Sequence, residues 1–580
     1  MTEIEVEVLV VGAGPSGLTA ALALARHGVK VMAISKYRGP ANTPRAHITN
    51  QRTLEVFKDL GIEERIRSAG WPLSYLSHNV LATSLAGLEI ARYRSYGTGP
   101  DRLSEYALAS PCPPINCQQH VMEPILRDAV IEQGADVRYG YELVEISQTA
   151  DLVTARIVER DTGEELIVRA RYAIGADGGR STVAEKLGFS FVGEPGLRNM
   201  VTSWLEVDLT RYVEHRPGVL YWIGRPGHEQ WFGTASWACV KPFTEWLMVQ
   251  PWSDPDVLPS EAEVIDRARL TIDDGDVPIK VKSIGSWQVN NVVATNYRNG
   301  SVFISGDAAH RHPPAGGLGT NTSVQDAFNL AWKLAYVLRG KAGPGLLDSY
   351  SAERQPVGAH VVSRANVSFE NTAALVSALG FTEGQSEADG WEAIRSLYSD
   401  EPGASERRDV LEKAVKLQDY RSNALGVDLG QRYASGAVIA ESGPFPEPLG
   451  DPELHYRPTS HSGAPLPHAW VEHDGKQLST LDITGHGNFS LLVGVGGTPW
   501  KQAAEQVATR LGIELPVREV GLRCAYDDVN GDWKRAREIG DHGAILVRPD
   551  RFVAWRALAA SSTPEVDLEA ALRQILDRPA

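Results

Sequence analysis

Gly12, Gly14 and Gly17 stand at GxGxxG spacing in the run Gly12-Ala13-Gly14-Pro15-Ser16-Gly17. That spacing suits a dinucleotide pyrophosphate. Gly12 allows a tight turn, Gly14 lets the phosphates approach the backbone, and Gly17 lets a helix pack closely on its strand. The helix N-terminus, with Ser16 in its first turn, then faces the anion. In NAD-binding folds the next strand ends in an acid that holds the ribose; here Ser35 and Lys36 occupy that place. Ser35 can still bond a hydroxyl, but the NAD signature is missing. Two further runs end an apolar strand in an aspartate: Ile174-Gly175-Ala176-Asp177-Gly178-Gly179 and Val302-Phe303-Ile304-Ser305-Gly306-Asp307. Strand C-termini are where α/β folds place their ligands. Read singly, each run could be an ordinary turn.

The elements that must position these residues follow from the pattern. Val6–Val11 predicts a buried strand, Ser16–His27 a helix stopped by Gly28, and Val29–Ile34 a second strand, together a βαβ unit. The uncharged run from Val8 to Ala25 could pass for a membrane segment or signal peptide. Glu3, Glu5 and Glu7 stand where a signal peptide needs positive charge, and the glycines interrupt the run. Helices are expected from Thr49 or Asn50 to Gly61, over Val121–Gln133 and over Ser323–Leu338. Within residues 195–290, Trp204, Trp222, Trp231, Trp237 and Trp246 lie in short β-like runs such as Val219–Ile223, which predicts a sheet inserted into the α/β part. Residues 442–467, rich in Pro, Gly and Ser, read as a linker, and 468–575 as a small α/β module.

Taken in order, the three motifs resemble the FAD-dependent aromatic hydroxylases of the para-hydroxybenzoate hydroxylase type. Thr43-Pro44-Arg45-Ala46-His47-Ile48-Thr49-Asn50 and His310-Arg311-His312-Pro313-Pro314 resemble the phenol hydroxylase branch. The resemblance spans essentially the whole chain. It implies a Rossmann-type FAD-binding domain over 1–190 and 295–365, with an inserted β-sheet substrate domain over 191–294. A helical region over 366–441 and a C-terminal thioredoxin-like domain over 468–575 complete the implied fold, α/β with α+β. It also implies roles. Gly306 and Asp307 would contact the FAD ribityl or pyrophosphate, with Arg45 and Gln119 lining the cofactor. Asp177 and Gly178 would serve both FAD and NAD(P)H. The turn Gly316-Gly317-Leu318-Gly319, with Thr320 and Asn321 opening a helix, would lie against the flavin ring, where a helix N-terminus stabilises negative charge.

The implied reaction is NADH- or NADPH-driven, O2-dependent hydroxylation of a phenolic or hydroxypyridine-like ring through a flavin C4a-hydroperoxide. Attack is easier on a phenolate than on a phenol, so a base is wanted, and an ordinary histidine titrates near 6.5. His47 matches the family's candidate; a surface histidine at a helix entry is the alternative. Pro313 and Pro314 would pass beside the oxygen-reactive edge. Two departures stand out: Asn116, where relatives carry an Asp able to support the imidazole, and Ala184, where the second motif usually has an Arg. Trp222 and Trp231 are candidate aromatic walls of a substrate site, or else core tryptophans. His310 and His312 lack the convergent carboxylates of a metal site, so none is expected.

Composition sets the bounds. The 580 residues, 43% apolar and 22% charged, carry 57 Lys+Arg against 73 Asp+Glu, a net −16 that argues against a nucleic-acid partner. Such a length fits about three or four domains. Cys112, Cys117, Cys239 and Cys524 form no CxxC, which points to a reducing cytoplasm and excludes dithiol chemistry in the tail. A small aromatic substrate, no membrane and a homo-oligomer through the FAD-binding or C-terminal part complete the expectation. The competing readings are a catabolic phenol hydroxylase, a natural-product tailoring hydroxylase, another FAD oxidoreductase and a non-catalytic flavoprotein. A disulfide reductase would need a second fingerprint and a redox cysteine pair, and the chain has neither.

Overall fold

Val8, Leu9, Val10 and Val11 are all buried, on both faces of their strand, as the middle of a parallel sheet requires. The computed structural model describes residues 2–227, 234–254, 256–382 and 384–579. In its first sheet, Thr2–Val11 lies between Val31–Ser35 and Glu165–Gly175, parallel to both, and Val302–Ile304 pairs parallel to Glu165–Gly175. The order is Arg298–Asn299, Val302–Ile304, Glu165–Gly175, Thr2–Val11, Val31–Ser35 and Asp136–Tyr139, with Val153–Glu159 and Tyr141–Gln148 added by antiparallel pairing. Four neighbouring strands therefore end at Ser35, Val11, Gly175 and Ile304, so sequence-distant motifs emerge side by side along one edge.

The second sheet has eight strands, in the order His310–Arg311, Lys280–Ala294, Phe191–Glu206, Glu245–Pro251, Ala235–Lys241, Gly218–Ile223, His78–Ala82 and Glu89–Arg94. The last two come from the stretch assigned by sequence to the FAD-binding part. Their isolated hairpin carries no motif, so only the pairing of Tyr221 with Val80 and of Trp222 with Leu81 reveals their place. Alternation sorts the two faces. Tyr221, Ile223, Trp237, Cys239, Trp246 and Met248 pack with Val264 and Ala268 of the Glu261–Ile272 helix. Leu220, Ala238, Val240 and Leu247 turn the other way, with Trp204.

A seven-stranded sheet over residues 470–557 forms the C-terminal module. Leu491 and Val493 share a core with Trp332 and Tyr336 of the long Leu318–Leu338 helix, so the module is built onto that helix. Residues 459–467, expected within a linker, are buried, and Leu466 N–H donates to Arg551 C=O at 2.8 Å. Buried ion pairs reinforce the join: Arg548–Glu353 at 2.6 Å and Arg551–Asp59 at 2.9 Å. Among the described residues no helix is long and apolar enough to cross a membrane, and no cluster of His, Cys, Asp or Glu could hold a metal.

Candidate active site

The fingerprint forms as the glycines demand. Gly12 has φ +111°, and a Cβ there would lie 2.1 Å from the Ala176 carbonyl oxygen, so this glycine lets the first and second motifs touch. A Cβ on Gly17 would lie 1.8 Å from Gly12 O, which is the close helix-to-strand packing. Around Gly14 the space is open: the nearest atom to a Cβ would be Glu123 Oε1, at 3.8 Å. The helix begins at Pro15 with the N-terminal N–H groups of Ser16 and Gly17 free to face an anion. Ser16 Oγ meets Ser305 Oγ at 2.6 Å, joining the first motif to the third.

Asp177 is committed locally, accepting from Ser181 Oγ at 2.5 Å and Val183 N–H at 3.1 Å, while burial pushes its carboxyl up. Gly178, at φ +82°, has open space where a Cβ would be. Ala184 is buried and offers no contact of the kind the family's Arg would supply. Asp307 is open to solvent within a protein-walled cleft. Its surroundings raise its carboxyl, against the pull of His310, Arg311 and Arg45. Gln119 and Arg45 reach the same side: Gln119 Nε2 donates to Glu123, and Gln119 N–H to Arg45 C=O at 2.8 Å. Glu123, which no motif signalled, closes this corner and accepts from Ala41 N–H at 2.5 Å. Ser35 Oγ accepts from Tyr37 N–H at 3.3 Å, and the backbone of Lys36 accepts from Arg160 at 2.9 Å.

The third motif rests on residues that sequence reasoning missed. Asp326, fully buried, accepts from Gly306 N–H at 3.2 Å, His310 Nε2 at 2.9 Å and Arg354 Nε at 2.7 Å. Arg354 also donates to Gln431 at 2.7 Å and Tyr433 at 2.9 Å. This cluster accounts for His310 without a metal. The long helix starts at Leu318, five residues before the predicted Ser323, because Gly316 and Gly317 at φ +76° and +67° make the turn into it. Asn321 locks that turn: its amide donates to Gly317 O at 2.6 Å and Ile48 O at 2.8 Å, and its oxygen accepts from Asn50 N–H at 3.0 Å. Gly319 and Thr320 lie in the first helical turn beside it, Pro313 is buried and Pro314 is exposed.

His47 is partly open, and its Nδ1 has no hydrogen-bond partner. Desolvation holds its pKa down to about 4, helped by neighbouring His120 and opposed by the Cys239 carbonyl. The ordinary value near 6.5 expected from the residue type is therefore displaced. Asn116 does not support the imidazole. Its amide donates to Cys239 O at 3.3 Å, and Gln118 donates to Asn116 Oδ1 at 3.0 Å and Val240 O at 3.2 Å. A backbone carbonyl thus stands where a carboxylate was sought. The His120 ring lies 5.6 Å from that of Trp204, which places the pair of histidines against the Leu220–Ala238–Leu247 face of the second sheet. Trp222 lies farther along this face, beside Leu81 and Leu375, with the Arg421 guanidinium 4.1 Å from its ring. Trp231 lies outside the described residues.

The arrangement supplies an anion-accepting strand edge and a helix N-terminus at the 316–319 turn. His47, next to the Ile48 on which Gly317 packs, meets the Cys239 carbonyl of the second sheet, and the space beside these groups is the candidate substrate chamber. Open space at Gly14 and Gly178, with Arg45 and Asp307 in the same cleft, fits FAD. Comparison with known proteins agrees. A family model for an FAD binding domain matches residues 5–365, and one for an aromatic-ring hydroxylase C-terminal domain matches residues 459–579. The chain is 42% identical to the 2,4-dichlorophenol 6-monooxygenase of Delftia acidovorans, over 99% of both chains. The crystal structure of the flavin-dependent monooxygenase PieE with FAD and substrate superposes with a TM-score of 0.96 at 43% identity, covering 100% of both chains. Aklavinone-11 hydroxylase with FAD and aklavinone gives a TM-score of 0.81 at 30% identity, again over 100% of both chains.

Proposed function

Since the chain belongs to the FAD-dependent aromatic-ring hydroxylases, and so uses NAD(P)H and O2, we propose that it hydroxylates a phenolic ring held against His47. When bound, FAD accepts reducing equivalents from the nicotinamide and activates O2. The protein's part is positioning. Gly12, Gly14, Ser16 and Gly17 receive the pyrophosphate, with Arg45, Gln119, Asp177, Gly178, Gly306 and Asp307 around the cofactor and Ser35 and Lys36 near its ribose. The Gly317–Asn321 helix start favours negative charge on the ring.

One observation carries the assignment of His47: an imidazole without a carboxylate partner, kept neutral by burial, on the chamber face. A neutral ring nitrogen accepts a hydrogen bond from a phenol and takes its proton as the ring is attacked. The resulting imidazolium then faces an electron-rich ring in a dry site, where the attraction is strong. Pro313 and Pro314 wall the chamber and Asn116 holds its sheet edge through Cys239 O.

The 42% identity to a dichlorophenol monooxygenase supports a small phenol. The likeness to aklavinone-11 hydroxylase supports a larger natural-product ring system, and the continuation of the chamber face to Trp222 favours this second reading. Self-association through the FAD-binding or C-terminal part belongs to the same proposal, supported by exposed apolar side chains such as Leu108 and Leu522. So does a reducing cytoplasm, supported by four unpaired cysteines. The test is NAD(P)H oxidation by the holoenzyme in air against a panel of phenols, hydroxypyridines and polycyclic phenols, with products identified by mass. Hydroxylated product with little peroxide is expected from at least one phenol; hydroxylation confined to rings lacking a hydroxyl would overturn the proposal.

A further inference from the structure

Arg421 is 8% exposed, yet among the described residues no carboxylate pairs with it. Thr372 Oγ1, at 2.6 Å from Nη1, is the acceptor it has. The guanidinium otherwise lies over aromatic rings, 4.1 Å from Trp222 and 6.0 Å from Phe369. Burial works against its charge, opposed only by the Tyr93 and Tyr96 phenols. A buried cation ordinarily has a counter-ion, because desolvation is costly otherwise. Every other buried arginine that organises this enzyme obeys that rule: Arg354 has Asp326, and Arg548 has Glu353.

The position of Arg421 gives the missing partner a meaning. Its neighbour Ser422 accepts from Asn79 at 2.5 Å, and Asn79 pairs with Leu220 on the chamber face. The short Asp419–Ser422 helix that carries both also touches the Ala315–Gly317 turn expected beside the flavin. A small cleft opens between Arg421, Trp222, Tyr93 and Leu375, with room for about one water-sized group. Trp222 pairs with Ser236, three residues along the strand from Cys239, where His47 sits. At roughly 3.3 Å per residue this separates the two ends by about 10 Å.

We propose that Arg421 forms a distal subsite for a carboxylate carried on the far ring of a multi-ring phenolic substrate whose near ring lies at His47, a carboxylate oxygen taking the water-sized space beside the guanidinium. The unused Nε and Nη2 edge of the guanidinium matches a carboxylate in the two-point geometry that a lysine cannot offer. The inference rests on the phenolic reading of the His47 chamber.

The test compares 4-hydroxybiphenyl with 4′-hydroxybiphenyl-4-carboxylate. Binding to the holoenzyme is read from the perturbation of flavin absorbance, and products by mass. Wild type should bind the carboxylate at least tenfold more tightly. Arg421→Gln should remove that preference while leaving affinity for 4-hydroxybiphenyl within about twofold. Should Arg421→Gln lose FAD, Arg421→Lys carries the comparison, with the preference expected to fall several-fold. Equal binding of the two compounds by wild type, or an undiminished preference in the variants, would overturn the subsite. A carboxylate preference with no hydroxylation of either compound would leave the subsite standing and remove the phenolic reading on which its purpose depends.

Discussion

His310 and His47 are both buried deeply enough to feel the protein interior, and they have opposite surroundings. His310 is fully buried with Nε2 on Asp326, whose other oxygen holds Arg354. Each ring has an Nδ1 without a partner, but His47 has a neutral carbonyl and a second histidine where His310 has a carboxylate. The same division separates Arg354, completely paired, from Arg421, which has no carboxylate. At the cofactor end Asp326 and Arg354 answer each other, and Asp326 and Asn321 hold the loops bearing Gly306 and Gly317 before any ligand arrives. At the proposed substrate end Arg421 has no carboxylate among the described residues, and an unanswered charge is one that a ligand can repay.

Breaking the answered cluster should have the largest effect. Asp326→Asn leaves Arg354 buried without its charge partner, at an expected cost of about 3–5 kcal/mol. A marked drop in melting temperature together with loss of bound FAD checks this; an unchanged melt with full FAD content would show that the cluster is not what holds the third motif. The next effect concerns acid. His468 is 8% exposed, with Nδ1 on Ser479 Oγ at 2.7 Å, and burial holds its pKa to about 4. The folded protein thus keeps this ring neutral while the unfolded chain binds a proton below about pH 6.5. Stability should therefore fall as pH drops from about 6.5 towards 4, by up to ~3 kcal/mol from this group. In His468→Gln the acid slope of unfolding free energy should lessen by about one proton; an unaltered slope would sink the assignment.

Removing an unanswered group should spare the fold and damage the chemistry. His47→Gln is expected to keep FAD and to melt within a few degrees of wild type. Its hydroxylated product per NAD(P)H oxidised should fall about 100-fold, the excess appearing as peroxide. Retained coupling would remove His47 from proton transfer. The smallest effect sharpens the contrast directly. Asn116→Asp converts the neutral surroundings of His47 towards those of His310, and the nearby carboxylate should raise the imidazole pKa by about one unit. Titration of the imidazole by NMR reads the shift, and no movement would mean that the two side chains do not share a field.

Much of the cofactor end was legible because glycine spacing and strand-end aspartates are local signals. Gly12, Gly14 and Gly17 sit at the strand-to-helix turn, and Asn50 caps its helix by accepting from Thr53 N–H at 2.9 Å. Their partners were not legible. Asp326 and Arg354 lie inside helices with ordinary periodicity, 28 residues apart, and meet only when the two helices pack. The early start of the long helix was hidden because Leu318–Thr322 carries no apolar rhythm, although Gly316-Gly317 marked the turn. The substrate end was less legible still. The role of Cys239 is played by its backbone carbonyl, which has no sequence signature. The hairpin of residues 78–94 joins the sheet of residues 191–294 by long-range pairing alone. Asn116 was recognisable as a departure, but its actual target could be read only from the fold.

In the proposed mechanism His47 is already neutral across the working range because burial, not a carboxylate, sets its proton affinity. The pH dependence of kcat/KM for hydroxylation of a simple phenol tests it most directly. With His47 held near 4, the rate should show no histidine-like loss between pH 7 and 5. A loss centred near pH 6.5 in wild type that disappears in His47→Gln would contradict it.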